Sequence, residues 1–134
     1  MAVVPIGPKT IAFAVPVTRA TDEMVSEVTP AEQATVSDVF VDVTGSMIDT
    51  QNFLSIAYTC VNTGAQTIKW KVIGGNSAVF ADAVEVQASA DILAAAIGSY
   101  SASVAVWRYY KLQVGDKVNG QHGAATVRGI AKAG

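Results

Sequence analysis

The sequence predicts an all-β protein: an antiparallel β-sandwich or small barrel with an extended N-terminal arm. After residue 35, several short runs alternate between apolar and polar side chains, which is the period of a half-buried strand. Turn residues separate these runs at roughly ten-residue spacing, as in sandwiches and barrels. All 4 prolines lie in the first 30 residues, and proline lacks the N–H that a central strand donates.

The position of the prolines divides the chain into two predicted regions. Residues 1–34 form the arm, and residues 35–134 form the sandwich. Within the arm, Thr29-Pro30-Ala31-Glu32 is a capping-box pattern with proline at the first helical position, and it predicts a short helical turn. Residues 22–28 are a second candidate for such a turn. We therefore expect an extended arm with short helical turns.

Three strands are predicted in the first half of the sandwich. Residues 38–43 place their three valines on one face, before a Thr-Gly turn. Residues 53–61 alternate in the same way, with Tyr58 among the side chains of the larger apolar face. Residues 67–72 alternate most clearly, because Trp70 and its apolar neighbours face one way and two lysines face the other. We therefore predict that Trp70 is a core residue.

The second half of the sandwich contains three more predicted strands and one ambiguous segment. The strands are residues 78–86, 103–114 and 124–131, and the Asn-Gly pair before the last of them is typical of a hairpin turn. Residues 89–98 fit either a loop with one helical turn, favoured by alanine content and by Gly98 as a stop, or a loop and an edge strand. We expect the loop with one helical turn.

The composition limits the classes of function. Of 134 residues, 15% are charged, against about 25% in typical soluble domains. A surface this short of charge is either covered by other protein chains or is a weakly charged, wet surface rich in Ser and Thr. The net charge of −2 argues against nucleic acid and polybasic membrane docking. No run reaches the roughly 18 apolar residues of a membrane-spanning helix.

Residues that carry chemistry are scarce. His122 is the single histidine, and it lies in the predicted hairpin turn, where a histidine is more often solvated or a contact residue than catalytic. Cys60 is the single cysteine, which excludes a disulfide within one chain and cysteine-ligated zinc. Asp38 and Asp42 would lie about 13 Å apart on one face of a strand, which is too far for the two carboxylates to share a hydrolytic site unaided. We predict no catalytic, metal or cofactor residues, and a negligible stability change on replacing His122.

The most distinctive short motif is the aromatic run from Trp107 to Tyr110. Trp, Tyr and Arg often carry the energy of an interface, but alternate aromatic residues also fill sandwich cores. We predict that Tyr110 is core and that Trp107 and Tyr109 lie near a rim. The candidate interface residues from the arm, this run and the last turn are Ile11, Phe13, Val15, Trp107, Arg108, Tyr109 and His122.

Two stretches carry a family resemblance. The run from Trp107 to Val114, with Gly120 to Lys132 after it, resembles the ending of small virion proteins of tailed bacteriophages, and Asn62 to Asn76 is similar too. The resemblance covers approximately residues 53–132 and implies a β-rich, non-catalytic, cofactor-free protein. It further implies a decoration or cement subunit of the capsid surface, assembled in the host cytoplasm, often trimeric, whose partners are the major capsid protein and copies of itself.

Two functions remain open from the sequence. The first is this structural role in a virion, on the head or on the tail, with the arm docking on neighbouring subunits. The second is a glycan- or ligand-binding module, for example a receptor-contact component, with Trp107 and Tyr109 as a stacking platform. The second function predicts a monomer with an exposed aromatic strip and a dispensable arm.

Overall fold

The computed structural model describes residues 25–133 as ten β-strands with no helix. The strands are β1 (Val25–Val28), β2 (Gln33–Ala34), β3 (Val41–Asp42), β4 (Ile48–Asp49), β5 (Ser55–Asn62), β6 (Ile68–Gly75), β7 (Val84–Ile92), β8 (Ile97–Ala102), β9 (Tyr109–Asp116) and β10 (Ala124–Lys132).

The strands form two antiparallel sheets. Sheet A has the order β1-β10-β5-β8, and β2 also pairs with β10. Sheet B has the order β3-β9-β6-β7, and β4 also pairs with β9. Their inward faces pack on one another, which confirms the predicted sandwich in preference to a barrel. The predictions for β5, β6 and β10 are also confirmed: β5 and β10 alternate over their whole length, and β6 alternates from Ile68 to Lys71 before both of its faces become buried.

The core lies between the two sheets. Trp70 of sheet B is 3% exposed, as predicted, and its ring packs on Gly98 of sheet A. The buried hydroxyl of Tyr58 in sheet A donates to the carbonyl oxygens of Ser46 (2.5 Å) and Tyr110 (3.1 Å) on the sheet B side. Burial raises the pKa of Tyr58, so this hydroxyl stays a donor at neutral pH. The packing of Trp70 on Gly98 and the hydrogen bonds of the Tyr58 hydroxyl therefore join the two sheets.

Three predicted strands have different bounds in the structure. Only Val41–Asp42 of residues 38–43 is strand, and Val39 is 66% exposed. The strand predicted at residues 78–86 is β7 instead, since residues 76–83 form a loop in which Phe80 has a φ of 57°. The strand predicted at residues 103–114 begins only at β9. In each case the alternating sequence extends beyond the strand into a loop, whose residues do not pair with a neighbouring strand.

The helical turn expected within residues 89–98 is wrong. These residues are the end of β7, a tight turn and the start of β8. The buried side chain of Asn62 holds the turn: its Nδ2 donates to the Ile92 carbonyl (2.9 Å), and its backbone carbonyl accepts from the Ala95 N–H (2.9 Å). These long-range hydrogen bonds outweigh the local helix propensity of the alanines.

The arm prediction falls mostly on residues 1–24, which lie outside the described residues. The helical turns predicted at residues 22–28 and 29–32 are not found in the described part. Instead, β1 and β2 both pair with β10. Glu32 accepts a hydrogen bond from the Thr63 hydroxyl on the neighbouring turn, rather than capping a helix. Pairing with β10 therefore explains why no helix forms at residues 25–34.

The predicted hairpin between the last two strands is also wrong. Residues 117–123 contain the expected glycine turn, with Gly120 at a φ of 90°. However, β9 belongs to sheet B and β10 to sheet A, so the connection crosses from one sheet to the other. An Asn-Gly pair encodes a tight turn but not the sheet that the following strand joins.

Candidate functional site

The structure does not bring the predicted interface residues together. Ile11, Phe13 and Val15 lie outside the described residues. Trp107, Arg108 and Tyr109 lie where β9 begins, and His122 lies beyond its other end. The eight residues of β9 span about 26 Å, so the two groups occupy opposite ends of the sandwich. We call them the Trp107 end, with the loop at residues 103–108, and the His122 end, with the connection at residues 117–123.

Trp107 closes the core at its own end of the sandwich. A Cβ on Gly74 would lie 2.8 Å from Cδ1 of the Trp107 ring, so the ring sits directly against the β6 backbone. The Thr50 hydroxyl holds the backbone of the same segment, since it lies within donating distance of the carbonyl oxygens of Trp107 (2.5 Å) and Arg108 (3.0 Å). The ring is half-buried against the main core cluster. This contact gives Trp107 a packing role, and a role in an interface remains a prediction.

Arg108 and Tyr109 are oriented by neighbouring side chains. The Arg108 guanidinium donates to both oxygens of Asp49 (3.3 and 3.2 Å) and to Gln51 (2.9 Å), and it lies 5.0 Å from the centre of the Tyr109 ring. These hydrogen bonds from Arg108 hold the pKa of Asp49 below its usual value. Such an exposed pair adds little stability. It does present a fixed guanidinium and ring beside Trp107.

His122 is anchored by a buried carboxylate at the other end. Its Nδ1 lies 2.8 Å from Oδ2 of Asp116, whose side chain is fully buried, and that same oxygen accepts the Gly120 N–H (3.2 Å). Burial raises the pKa of Asp116, but the polar groups of Thr35, His122 and Gly120 near the carboxylate together bring it below its usual value. The remaining oxygen, Oδ1, has no hydrogen-bond partner. His122 therefore supports the connection between the sheets.

This arrangement changes the expectation for His122. We expect His122→Ala to lower the free energy of unfolding by about 1–3 kcal/mol, because it removes a hydrogen bond to a buried carboxylate. Urea denaturation at pH 7 measures it, and Gln121→Ala, on an exposed neighbour, is the matched control. Equal stability of the two variants would show that the connection does not depend on His122.

Two aromatic side chains from outside the strands, Phe40 and Phe80, lie over the outer face of sheet B. The ring of Phe40 lies 4.7 and 4.5 Å from the ammonium groups of Lys69 and Lys71, and the ring of Phe80 lies 4.3 Å from that of Lys111. Sequence reasoning missed these contacts, since nothing in the spacing of the residues signals them. Ion pairs also occupy this face: Lys71 with Glu85 at 3.0 Å, and Lys111 with Asp42 at 2.8 Å. On this face, each of the three lysines contacts an aromatic ring, and Lys71 and Lys111 also pair with a carboxylate.

The outer face of sheet A has the opposite character. The outward residues of its β5–β8 half carry no charge and are mostly small: Ser55, Ala57, Thr59, Val61, Ile97, Ser99 and Ser101. The surrounding sequence is uncharged from residue 92 to residue 107, between Asp91 and Arg108. A shallow groove runs along the end of this half between Ala57, Ser101 and Ile130, and Lys132 of β10 borders it. A surface without charges and with exposed apolar side chains such as Ile97 is a candidate for contact with another protein.

Other kinds of site find no support in the described part of the chain. Residues 25–133 contain no group of three or more side chains suited to hold a metal ion. Cys60 is buried, and burial raises the pKa of its thiol to about 12, so it stays protonated and unreactive at neutral pH. No described helix is long and apolar enough to cross a membrane. The uncharged half of sheet A is therefore the candidate functional surface.

Comparison with known proteins gives the fold but no family. No family model matches the chain, and no curated protein matches it in sequence. Among solved structures, the chain is similar to the SPBc2 prophage-derived protein YomS, with 12% identity and a TM-score of 0.51 over 81% of this chain and 92% of that chain. At such identity the likeness concerns the fold alone.

Two longer proteins contain the same fold. The PBSX exported protein XepA is 8% identical, with a TM-score of 0.56 over 85% of this chain and 38% of that chain. A chain of T=1 particles derived from infectious bursal virus is 12% identical, with a TM-score of 0.52 over 84% of this chain and 32% of that chain. The present chain thus spans about a third of their length. Proteins of phage and viral-particle origin share this sandwich.

Proposed function

We propose that the protein is a non-enzymatic structural component of a virion, a capsid decoration or cement protein that binds the phage head lattice and stabilises it. The observation that carries the proposal is the uncharged half of the outer face of sheet A, in a chain with only 15% charged residues. Association covers such a surface without the cost of stripping water from charged groups. The fold that the chain shares with phage-derived and viral-particle proteins supports the same proposal.

The proposed mechanism is mechanical. The sandwich supplies a rigid body with a weakly polar face, and the arm reaches contacts beyond it. Val25 begins β1 beside Lys132, which pairs with Ser55. This row lies at the Trp107 end, because Leu54 hydrogen-bonds both Lys132 and Ala105 of the loop at residues 103–108, so the arm joins the sandwich at the same end as Arg108 and Tyr109. Repeated copies on a lattice would strengthen weak contacts through effective concentration. The proposed partners are the major capsid protein and further copies of the same chain, which would form trimers on the capsid surface.

The alternative, a glycan-binding module, is less well supported. A stacking platform needs exposed aromatic faces side by side. The Trp107 ring is instead packed on Gly74 and joined to the core. Tyr109 and Arg108 alone offer one ring and one cation. Retention on a sugar column together with no affinity for any particle would favour this alternative.

Binding to phage heads from which this protein is absent tests the proposed function; the heads come from the phage that encodes it. The full chain should bind saturably at symmetric positions and raise the temperature at which the particles break. Negative-stain images locate it, and sedimentation measures the bound fraction. Binding that never saturates, or no binding at all, would contradict the decoration role.

Removing the arm should separate folding from binding. We expect a chain that begins at residue 25 to keep all ten described strands and to lose most of its particle affinity, because the arm contributes contacts rather than core. Circular dichroism checks the fold, and co-sedimentation measures the affinity. A deletion to residue 34 is unsuitable, since it also removes β1 and β2. Binding as tight as that of the full chain would remove the arm from the mechanism.

A further inference from the structure

Sheet edges offer unpaired main-chain groups to other strands, and most edges of this sandwich are protected. The β7 edge carries Glu85 and Asp91, and its pairing with β6 shifts register twice. The opposite edge of sheet B consists of two-residue strands, β3 and β4, separated by the turn at Gly45. In sheet A, β1 has four residues and presents Glu27. Short strands, charges and irregular register all oppose pairing with a further strand.

The β8 edge has none of these protections. It has six residues, no charge and no proline, and it keeps regular register with β5 over all six pairs. The Asn62 N–H donates to the Ala96 carbonyl, and hydrogen bonds alternate along an antiparallel pair. The main-chain groups of Ile97, Ser99 and Ser101 therefore point away from β5. Within residues 25–133, no strand pairs with this side of β8.

The inward face beside this edge is also incompletely covered. Tyr100 and Ala102 point toward the core, but both are only half-buried, unlike their counterparts on β5 and β10. On the outer side, Ile97 is 65% exposed, next to the small side chains of Ser99 and Ser101. A strand added here would bury apolar side chains as well as satisfy main-chain groups. Large residues on the added strand would meet small ones on β8.

One segment of the chain outside the described residues fits this edge. Between Pro8 and Pro16 lie seven residues without proline, close to the six of β8. Within them, Ile11, Phe13 and Val15 alternate with two alanines, and no charge occurs from residue 10 to residue 18. The flanking prolines end the pairing at both sides, because they lack the N–H that a ladder requires.

The position of the arm favours a second copy over the same chain. The arm joins sheet A at β1, the edge opposite β8. To reach its own β8, a chain would carry residues 16–24 past sheet A, and these residues include Arg19, Asp22 and Glu23. Charged side chains lose hydration on the uncharged β5–β8 half of that face. If the segment binds β8 of a neighbouring subunit instead, residues 16–24 do not have to cross the sheet A of their own chain.

We propose that the outer edge of β8 is the acceptor for the segment Ile11–Val15 of a second copy of the chain, which adds to sheet A as a further strand. The inference deepens the proposed function, since it assigns the binding partner of the arm. It makes each subunit both a donor, through its arm, and an acceptor, through β8. Such head-to-tail contacts close into a ring when the rotation between subunits permits.

Disulfide trapping between full-length chains tests the proposal. One population carries Ala12→Cys or Phe13→Cys, one on each face of the segment, and the other carries Ser99→Cys. Cys60 does not interfere, because it is buried and its pKa is raised to about 12. Mixed and mildly oxidised, the two populations should form a dimer of one donor and one acceptor on a non-reducing gel. An acceptor with Val118→Cys, exposed at the His122 end, gives the collision background.

A second pair of variants checks that the main chain is responsible. In the acceptor, Ser101→Pro removes an outward N–H and should abolish the cross-link, whereas Ser101→Ala should retain it. Circular dichroism confirms that both fold. A cross-link no stronger than that of the Val118→Cys acceptor would overturn the proposal. So would a disulfide within one chain in the dilute Ala12→Cys, Ser99→Cys double variant, with none between chains.

The outcome is distinguishable from that of the proposed function. Particle binding without a specific cross-link would overturn this inference and leave the decoration role standing. A specific cross-link without particle binding would support the β8 acceptor and contradict the decoration role.

Discussion

Trp70→Ala should lower the free energy of unfolding by about 3–5 kcal/mol, a large part of the roughly 5–15 kcal/mol that holds a domain folded. Trp70 is 3% exposed and is the largest side chain of the core. Its ring spans the space between β6 and β8, where Gly98 leaves room for it: a Cβ on Gly98 would lie 2.7 Å from Cε2 of the ring. The backbone of two sheets cannot easily collapse into the space that the ring leaves. Urea denaturation of the full chain measures the loss.

Two controls make the Trp70 result specific. Val79→Ala, at a side chain 83% exposed, should change stability by no more than about 0.5 kcal/mol. Gly98→Ala should destabilise the native chain by about 1–3 kcal/mol, but less in the Trp70→Ala background, since the Trp70 ring is gone and the only clash left among the nearest atoms is with Cδ1 of Ile92, the end of a side chain that has room to shift. Additive effects of the two changes would show that the ring and Gly98 do not share the contact. An unchanged urea midpoint for Trp70→Ala would remove Trp70 from the core.

Asp116→Asn should cost about 1.5–3 kcal/mol at neutral pH, because a neutral amide oxygen then replaces the carboxylate as the acceptor of its hydrogen bonds while the size is kept. Asp116 faces inward from the last residue of β9 and fixes both Gly120 and His122 of the connection to sheet A. Its folded pKa lies below the ordinary value of 3.8, so the ionised form is favoured in the folded state. The stability it contributes is fully present above about pH 4 and is lost as the pH falls through the folded pKa.

The pH dependence distinguishes a charge effect from simple loss of packing. Urea midpoints of the native chain and of Asp116→Asn should differ most from pH 5 to pH 7 and converge as the pH approaches 2. Glu85→Gln, at an exposed ion pair, is the control and should show little difference at any pH. A gap between native chain and Asp116→Asn that persists unchanged in acid would mean that the Asp116 carboxylate does not contribute through its charge.

The parts of the fold that the sequence predicts best are strands in which buried and outward side chains alternate. Around Trp70 the apolar and lysine residues alternate without interruption, and the strand is β6. The same alternation misleads at Phe80, where the loop before β7 also alternates. Alanine content misleads before Gly98, because the deciding hydrogen bonds come from Asn62, some 30 residues earlier in the chain. Local patterns cannot report a partner so distant in sequence.

The candidate surface was predicted less well than the fold. The low charge content indicated a covered surface, but only the sheet order shows that the uncharged residues gather on the β5–β8 half of sheet A. The aromatic motif predicts a core Tyr110 with Trp107 and Tyr109 near a rim, but it does not indicate that Trp107 packs on Gly74. His122 looked like an ordinary turn residue because its partner, Asp116, becomes buried only when the two sheets meet. These features depend on how strands from two sheets are combined.

The copy number of the protein in purified virions tests the central claim most directly. Quantitative mass spectrometry of particles from the host cells that carry the gene gives the ratio of this chain to the major capsid protein. A decoration protein occupies symmetric lattice positions, so the account predicts one fixed ratio, unchanged between preparations and retained in heads separated from tails. Absence from washed virions, or an amount that varies from one preparation to the next, would contradict it.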